Sequence, residues 1–368
     1  MYPSKRPIIA ITGSAGKTTT KEMIASILNI RFNIVKSIRN RNLSHTEHYA
    51  KSIKPHHQAV VLEYGLLKPG DIKKHCTILQ PNISVVTNIG SAHVGNFNSS
   101  IEQLAKEKSE IIAGLEPHGT LYINADDTNS ELLTIEPFSG SIKTIGIKNK
   151  ADYKATRIRF HKNGMTFKVR LNNKRRRFTI PVYGIHHIYN ALFSIAVTDS
   201  LGFTPEEMQK GFNHSSQFLK NNRRLSLYTL TDHVQVLDDT WSANPQATKA
   251  AIDVLSEIGE GANIAVLGSM LELGEHSVDQ HLDVGKHLAR KNVDKLFTFG
   301  KDARHIGMGA IDAGFPEEHV FHFDKINDMN LSLLGVIQPD TTVLVKGSHS
   351  IRMNRTVKFL LSSFSKAE

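Results

Sequence analysis

The chain has 368 residues, 40% hydrophobic and 22% charged, enough for two ordinary globular domains and too apolar for a disordered polymer. Its one cysteine, Cys76, excludes an intramolecular disulfide and a cysteine-only metal cage, and fits a reducing, cytoplasmic setting. No apolar run is long enough to span a membrane, and a net charge of +10 suits phosphorylated substrates, anionic membranes or nucleic acid.

Short apolar runs alternate with helical patterns at the start of the chain. Ile8 to Thr12 reads as a buried strand and Thr18 to Leu28 as the helix after it. Ala59 to Glu63 and Ile83 to Thr87 read as further strands, with helical spacing over Asp71 to Leu79 and Ile101 to Ile112. Strands alternating with helices imply a mostly parallel, doubly wound α/β sheet.

Tyr153 to Val182 changes to a two-residue alternation and contains Asn163-Gly164, a strong hairpin signal. It predicts a small antiparallel patch appended to the first domain. The run Lys174 to Arg177, beside the turn-like Asn172-Asn173, reads either as a solvated hairpin end or as a contact for phosphate or a partner. No RNA-binding aromatic motif or zinc finger accompanies it, so nucleic acid is not an expected partner.

Helical patterns resume over His187 to Leu201 and Pro205 to Phe212, and the polar stretch Asn213 to Arg223 reads as a domain boundary. A second alternating unit follows. Its expected strands are Val234 to Leu237, Asn263 to Leu267, Lys295 to Phe299 and Thr341 to Val345. Its expected helices lie near Gln246 to Ile258, Val278 to Arg290 and Arg352 to Leu361. The expected division is an ATP-binding domain over 1–217 and a Rossmann-like α/β domain over 218–368, without a Gly-rich dinucleotide fingerprint.

Gly13, Ser14, Ala15, Gly16, Lys17, Thr18 and Thr19 join the first strand to the first helix. That is the setting of a phosphate loop, where glycines let backbone N–H groups curl around phosphate oxygens at a helix N-terminus. Lys17 would reach the outer phosphates and the Thr18 hydroxyl would face Mg2+. The usual first glycine is replaced by Ile11, making this a shorter variant.

Ligands of open α/β sheets bind beyond the carboxyl ends of the strands. Glu63 ends such a strand and reads as a Mg2+ ligand, or else as a helix cap or salt-bridge partner. The next strand leads to Asn88 and His93; from spacing alone, His93 is a metal ligand, a phosphate contact or a solvated loop residue. In the second unit Asp238-Asp239, followed by Asn244-Pro245, either holds a ribose or caps the next helix.

Taken together, these pieces resemble the Mur ligases, which build the peptide of the peptidoglycan precursor. The matching runs are ITGSAGKTTTKEM from Ile11, LEYGLLKPGDI from Leu62, VVTNIGSAHVGNF from Val85 and EKSEI from Glu107. They continue with GIHHIYNAL from Gly184, LDDTWSANP from Leu237, VLGSMLELGEHS from Val266 and LVKGSHSIRMNR from Leu344.

The resemblance implies an ATP- and Mg2+-dependent ligase that activates a small-molecule carboxylate as an acyl phosphate and joins it to an amino-acid or peptide amine. It implies Mg2+ at Thr18, Glu63 and His93, with Asn88 beside them, and a carbamate on Lys108 that helps hold a second Mg2+. It implies Asn190, with His186, on the adenine side, and Arg224 and Asp239 as ATP contacts from the second domain. It places Lys346 and Ser348 in a late loop at the mouth of that domain.

There are departures. The family's asparagine after the adenine-side histidine is His187, its tyrosine–asparagine is Trp241-Ser242, and its Gly-Asp is Gly268-Ser269. The phosphate loop also lies so near Met1 that the family's uridine-nucleotide-binding domain is expected to be absent. A separate protein is then a possible source of acceptor recognition. An amide ligase for another metabolite is slightly preferred on this reading. The alternatives are a peptidoglycan ligase adding D-alanyl-D-alanine to UDP-N-acetylmuramoyl-tripeptide, a non-catalytic ATP-binding regulator, or an NTPase switch.

Overall fold

The computed structural model describes residues 5–38, 42–90, 100–136, 138–161, 164–221 and 223–364. Two compact units result, one of residues 1–181 with 185–216 and one of 182–184 with 217–368.

The first unit opens with β1 (Ile8–Thr12), α1 (Lys17–Leu28), β2 (Ile34–Lys36), α2 (Leu43–Ser52), β3 (Ala59–Glu63), α3 (Asp71–Ile78) and β4 (Ile83–Val86). It continues with α4 (Ile101–Ala113), β5 (Thr120–Asn124), β6 (Ser141–Gly146), β7 (Tyr153–His161), β8 (Gly164–Leu171), β9 (Lys174–Ile180), α5 (Ile185–Ser200) and α6 (Pro205–Asn221). All nine strands form one sheet in the order β2-β3-β1-β4-β5-β6-β7-β8-β9. Pairing is parallel from β2 through β7 and antiparallel from β7 to β9.

The apolar runs of β1 and β3 are continuous because both faces of these strands are covered. Ile9, Ala10, Val60, Val61 and Leu62 are all fully buried. Val60, Leu62, Ile72, Leu104 and Leu121 belong to one core cluster that joins sheet to helices.

The second unit holds β10 (Ser226–Thr229), β11 (Gln235–Asp239), α7 (Pro245–Ile258), β12 (Asn263–Gly268), α8 (Ser277–Leu288) and β13 (Lys295–Phe299). It ends with α9 (Arg304–Asp312), β14 (Val320–Phe323), α10 (Ile326–Leu334), β15 (Thr342–Lys346) and α11 (Asn354–Ser363). Its sheet runs β10-β11-β15-β12-β13-β14, parallel except for β10. Val266, Phe297, Leu333 and Val345 lie in its own core cluster.

The fold is α/β in both units, with a phosphate loop in the first. One sequence expectation needs correction. The antiparallel patch is not an appendage: β7 pairs with β6, so it extends the main sheet. The stretch from Asn213 is helical up to Asn221, and the division between the two units falls within it, at 216/217. Asn213, Gln217 and Leu219 carry no breaker, and polarity by itself does not end a helix. Of the predicted hairpin pair Asn163-Gly164, Asn163 lies outside the described residues. Asn172 and Asn173, at the β8–β9 turn, both have positive φ, 47° and 62°, as a two-residue hairpin turn requires.

Candidate active site

The loop from Gly13 to Gly16 leaves the carboxyl end of β1 and enters α1. Gly13 has φ 138° and Gly16 has φ 82°. A Cβ on Gly13 would lie 2.0 Å from the Thr87 hydroxyl oxygen, and one on Gly16 would lie 2.4 Å from Asn190 Oδ1. Neither position tolerates a side chain, for reasons of both conformation and space.

Asn88 holds the loop from the next strand over. Its carboxamide Oδ1 accepts the N–H groups of Ser14 (3.2 Å) and Ala15 (2.9 Å), and its backbone oxygen accepts Ser14 N–H at 2.9 Å. The Ser14 hydroxyl donates to the Gly90 carbonyl and accepts the Gly90 N–H, both at 2.8 Å. Thr87 Oγ1 donates to the Ala15 carbonyl at 2.6 Å. Lys17 Nζ donates to the Gly13 carbonyl at 2.7 Å, so its ammonium folds back over the loop.

Thr18 Oγ1 donates to Glu63 Oε2 at 2.8 Å. The Glu63 N–H donates to Ser37 Oγ at 3.1 Å, and the buried Lys21 ammonium donates to the Ser37 carbonyl. Lys21 is neutralised by Glu22 at 2.8 Å. Two hard oxygen donors thus meet at a helix N-terminus beside a phosphate loop. This donor set fits Mg2+, which uses one or two protein oxygens together with phosphates and waters. Among the described residues no cluster of three or more His, Cys, Asp or Glu forms a self-sufficient metal cage. His93 lies outside the described residues.

Lys108 is buried on α4, at 2% exposure. Burial, with the Lys17 charge adding to it, holds its amine well below the ordinary lysine range. It is therefore not the exposed helix cation that the neighbouring Lys106 and Glu107 suggest. A neutral amine can take up CO2, which a protonated one cannot. Asn190 is buried on α5; its Oδ1 accepts Thr20 Oγ1–H at 3.2 Å, and its amide is 3.1 Å from His187 Nδ1. Gly13 to Thr19, Glu63, Asn88, Lys108 and Asn190 thus gather around one loop.

Two residues that the sequence reading overlooked complete this arrangement. Asp127 accepts the Ile89 N–H at 2.8 Å and the Ser130 hydroxyl at 2.7 Å, and Asn129 Nδ2 donates to the Ile89 carbonyl at 2.9 Å. They clamp the turn that carries Asn88 and Gly90. The signal was present: Asp126-Asp127 follow the carboxyl end of β5, the same position that singled out Glu63 and Asp239.

In the second unit Asp239 and Lys346 are register partners on β11 and β15. Their side chains pair at 2.6 Å, buried, and Lys346 Nζ also donates to the Ser242 carbonyl at 2.8 Å. Asp238 turns away: it accepts the N–H and hydroxyl of Thr240, and burial raises its carboxyl above the usual range. Arg224 has its guanidinium carbon 6.0 Å from the Trp241 ring centre, and His349 lies 5.2 Å from the same ring. Ser348 Oγ accepts the Leu271 N–H at 2.9 Å. Asn244, a candidate substrate residue from the sequence, caps α7 through the Ala247 N–H at 2.8 Å.

A glycine loop at a helix N-terminus, a returning lysine and a threonine–glutamate pair define a phosphate-transferring nucleotide enzyme. The model of the Mur ligase middle domain matches residues 11–198, and that of the Mur ligase, glutamate ligase domain matches residues 223–349. A UDP-N-acetylmuramoyl-tripeptide–D-alanyl-D-alanine ligase of Bacillus subtilis (strain 168) is 30% identical over 358 residues, 97% of this chain and 76% of the relative. The ligase of that name in Escherichia coli (strain K12) is 31% identical over 359 residues, covering 96% and 76%. A crystal structure of MurF from Acinetobacter baumannii superposes with a TM-score of 0.88 at 28% identity, covering 98% of this chain and 77% of that one. The chain belongs to the Mur ligase family and is an ATP-dependent, amide-bond-forming ligase. It spans about three quarters of the length of these relatives.

Proposed function

We propose that the chain joins the carboxylate of UDP-N-acetylmuramoyl-tripeptide to the amine of D-alanyl-D-alanine, through an acyl phosphate. The observation that carries this reading is the similarity to ligases of that name, which runs through both units of the chain. The triphosphate of ATP lies against the loop at the N-terminus of α1, where the N–H groups of Gly16 to Thr18 begin the helix. The carboxylate oxygen attacks the γ-phosphorus, the bond to the β-phosphate oxygen breaks, and ADP leaves. The amine then attacks the acyl carbon, losing a proton, and inorganic phosphate departs. Such transfer depends on positioning and charge more than on covalent participation by the protein.

Thr18 and Glu63 are the residues that would hold Mg2+, which supplies charge neutralisation at the phosphates when bound. Lys17 swings from the Gly13 carbonyl to the γ-phosphate. A carbamate on Lys108 would turn a buried amine into an oxygen donor. Asn190 serves the adenine side, and Arg224 and Asp239 are the second unit's candidate ATP contacts.

A second reading, another carboxylate–amine pair, is favoured by the departures at His187, Trp241-Ser242 and Ser269. The test is phosphate release from ATP and Mg2+ with both cell-wall substrates, each omitted in turn, and detection of the joined product by mass. Release that needs both substrates, and that falls by orders of magnitude in Lys17→Ala, is the expected result. ATP binding without stimulation by this pair would move the assignment to other substrates.

A further inference from the structure

The paired strands β7, β8 and β9 carry a charge arrangement that the ligase chemistry does not use. Register sets Lys168 opposite Arg177 and Arg170 opposite Arg175. On the other side of β8, Thr156 stands opposite Lys168 and Arg159 opposite Thr166. Directly opposed side chains share a face, so Arg159, Lys168, Arg170, Arg175 and Arg177 all stand on one face of the sheet. Thr156, Thr166 and Thr179 stand on the same face, Thr166 buried, and the register continues to the His161–Gly164 pair. All four arginines are exposed and Lys168 is half-buried.

Like charges directly opposite one another destabilise a sheet. Among the described residues, the ion pair made by this cationic region is Arg176 with Glu206 at 3.9 Å, and Arg176 alternates to the other face, opposite Val169. Asp152 and Asp199 border the shallow cleft that Arg170 lines. Both are already engaged, Asp152 with Thr144 and Asp199 with the Tyr153 hydroxyl.

Cations on an edge strand ordinarily keep it from pairing with another chain. That accounts for Arg175 and Arg177 on β9, the last strand of the sheet. It does not account for Lys168 and Arg170, because β8 is paired on both sides. The opposite face of β8 presents the buried Met165, Phe167, Val169 and Leu171 to the core, so the cationic face is the outward one.

We propose that this face is a docking surface for an anionic phospholipid bilayer. A protein partner's interface is built around apolar or aromatic anchors, and among the described residues this face has none. A single-stranded nucleic acid needs aromatic platforms for its bases, which are also lacking here. A sheet face that presents several unpaired-in-register cations suits an array of anionic headgroups, where each cation near the surface adds roughly five-fold to partitioning. The inference is independent of which carboxylate the ligase takes.

The test is co-sedimentation of the full chain with vesicles of phosphatidylglycerol and phosphatidylcholine, and with phosphatidylcholine alone, at low and high salt. Binding is expected only to the anionic vesicles and to weaken with salt. The variant Arg175→Glu/Arg177→Glu turns both like-charge pairs into opposite-charge pairs. It should lose more than about 25-fold in vesicle binding, keep its ligase activity and melt no lower than the parent. Lys325→Glu/Lys358→Glu, two exposed positions in the second unit, removes the same total charge and should bind vesicles as the parent does. Equal loss in both variants, or no binding by the parent, would overturn the proposal. Binding to RNA that exceeds vesicle binding and disappears in the Arg175→Glu/Arg177→Glu variant would overturn it in favour of nucleic acid.

Discussion

At the residue scale, the phosphate loop is held in place by groups far from it in sequence. Asp127 does not reach the loop; it fixes Ile89, whose neighbours Asn88 and Gly90 bind Ser14 and Ala15. A hydrogen bond to a charged acceptor contributes about 1.5–3 kcal/mol. Asp127→Ala should therefore lower kcat/KM for ATP by ~10- to 100-fold, while Asp127→Asn, which keeps an acceptor oxygen for Ile89, should lose less. An unchanged KM for ATP in Asp127→Ala would mean the clamp is structural only. Lys108 permits a second test. Burial and the Lys17 charge hold its amine well below the ordinary lysine range, which favours a carbamate, so Lys108→Ala should be nearly inactive and partly restored by a small added carboxylate. Full activity without rescue would remove the carbamate.

At the scale of elements, His75 joins three pieces of the first unit. Its Nδ1 lies 2.7 Å from the Thr46 hydroxyl on α2, and its ring stacks on Tyr64, just after β3, at 5.0 Å. Burial lowers its pKa to about 4, although the Asp71 charge pulls the other way. The unfolded imidazole takes up a proton near pH 6.5 and the folded one does not. Stability is thus fully present above about 6.5 and falls as pH drops toward 4, by roughly 3 kcal/mol. Urea denaturation across that window should show this slope in the parent and a shallower one in His75→Gln. Parallel slopes would mean that His75 titrates alike in both states.

At the scale of the molecule, each unit has its own apolar core. The single tryptophan, Trp241, lies in the second unit, so its fluorescence reports on that unit's unfolding. Leu333→Ala, in the second core, should lower the tryptophan-detected midpoint, at a cost of about 2–5 kcal/mol. Leu121→Ala, in the first core, should instead move a transition seen by circular dichroism and leave the fluorescence midpoint in place. Equal fluorescence shifts in both variants would mean that the cores unfold as one.

What the sequence determined by itself was whatever is local. The strand–loop–helix of β1 and α1 lies within Ile8 to Leu28, and two-residue alternation marked β7 to β9. Glu63 and Asp239 were singled out because a strand's carboxyl end is where an α/β sheet binds its ligands. The family was legible because eight matching runs occur in order along the chain.

Tertiary structure decided the rest. Strands β2, β10 and β14 have only three or four residues; they exist because a neighbouring strand offers hydrogen bonds, which no periodicity announces. The Thr20–Asn190 contact joins residues 170 positions apart, and the Ile89–Asp127 bond joins residues 38 apart. Whether Lys108 is exposed or buried depends on what packs over α4. That Lys168 faces Arg177 across β8 and β9 depends on register, which pairing and turn geometry set together.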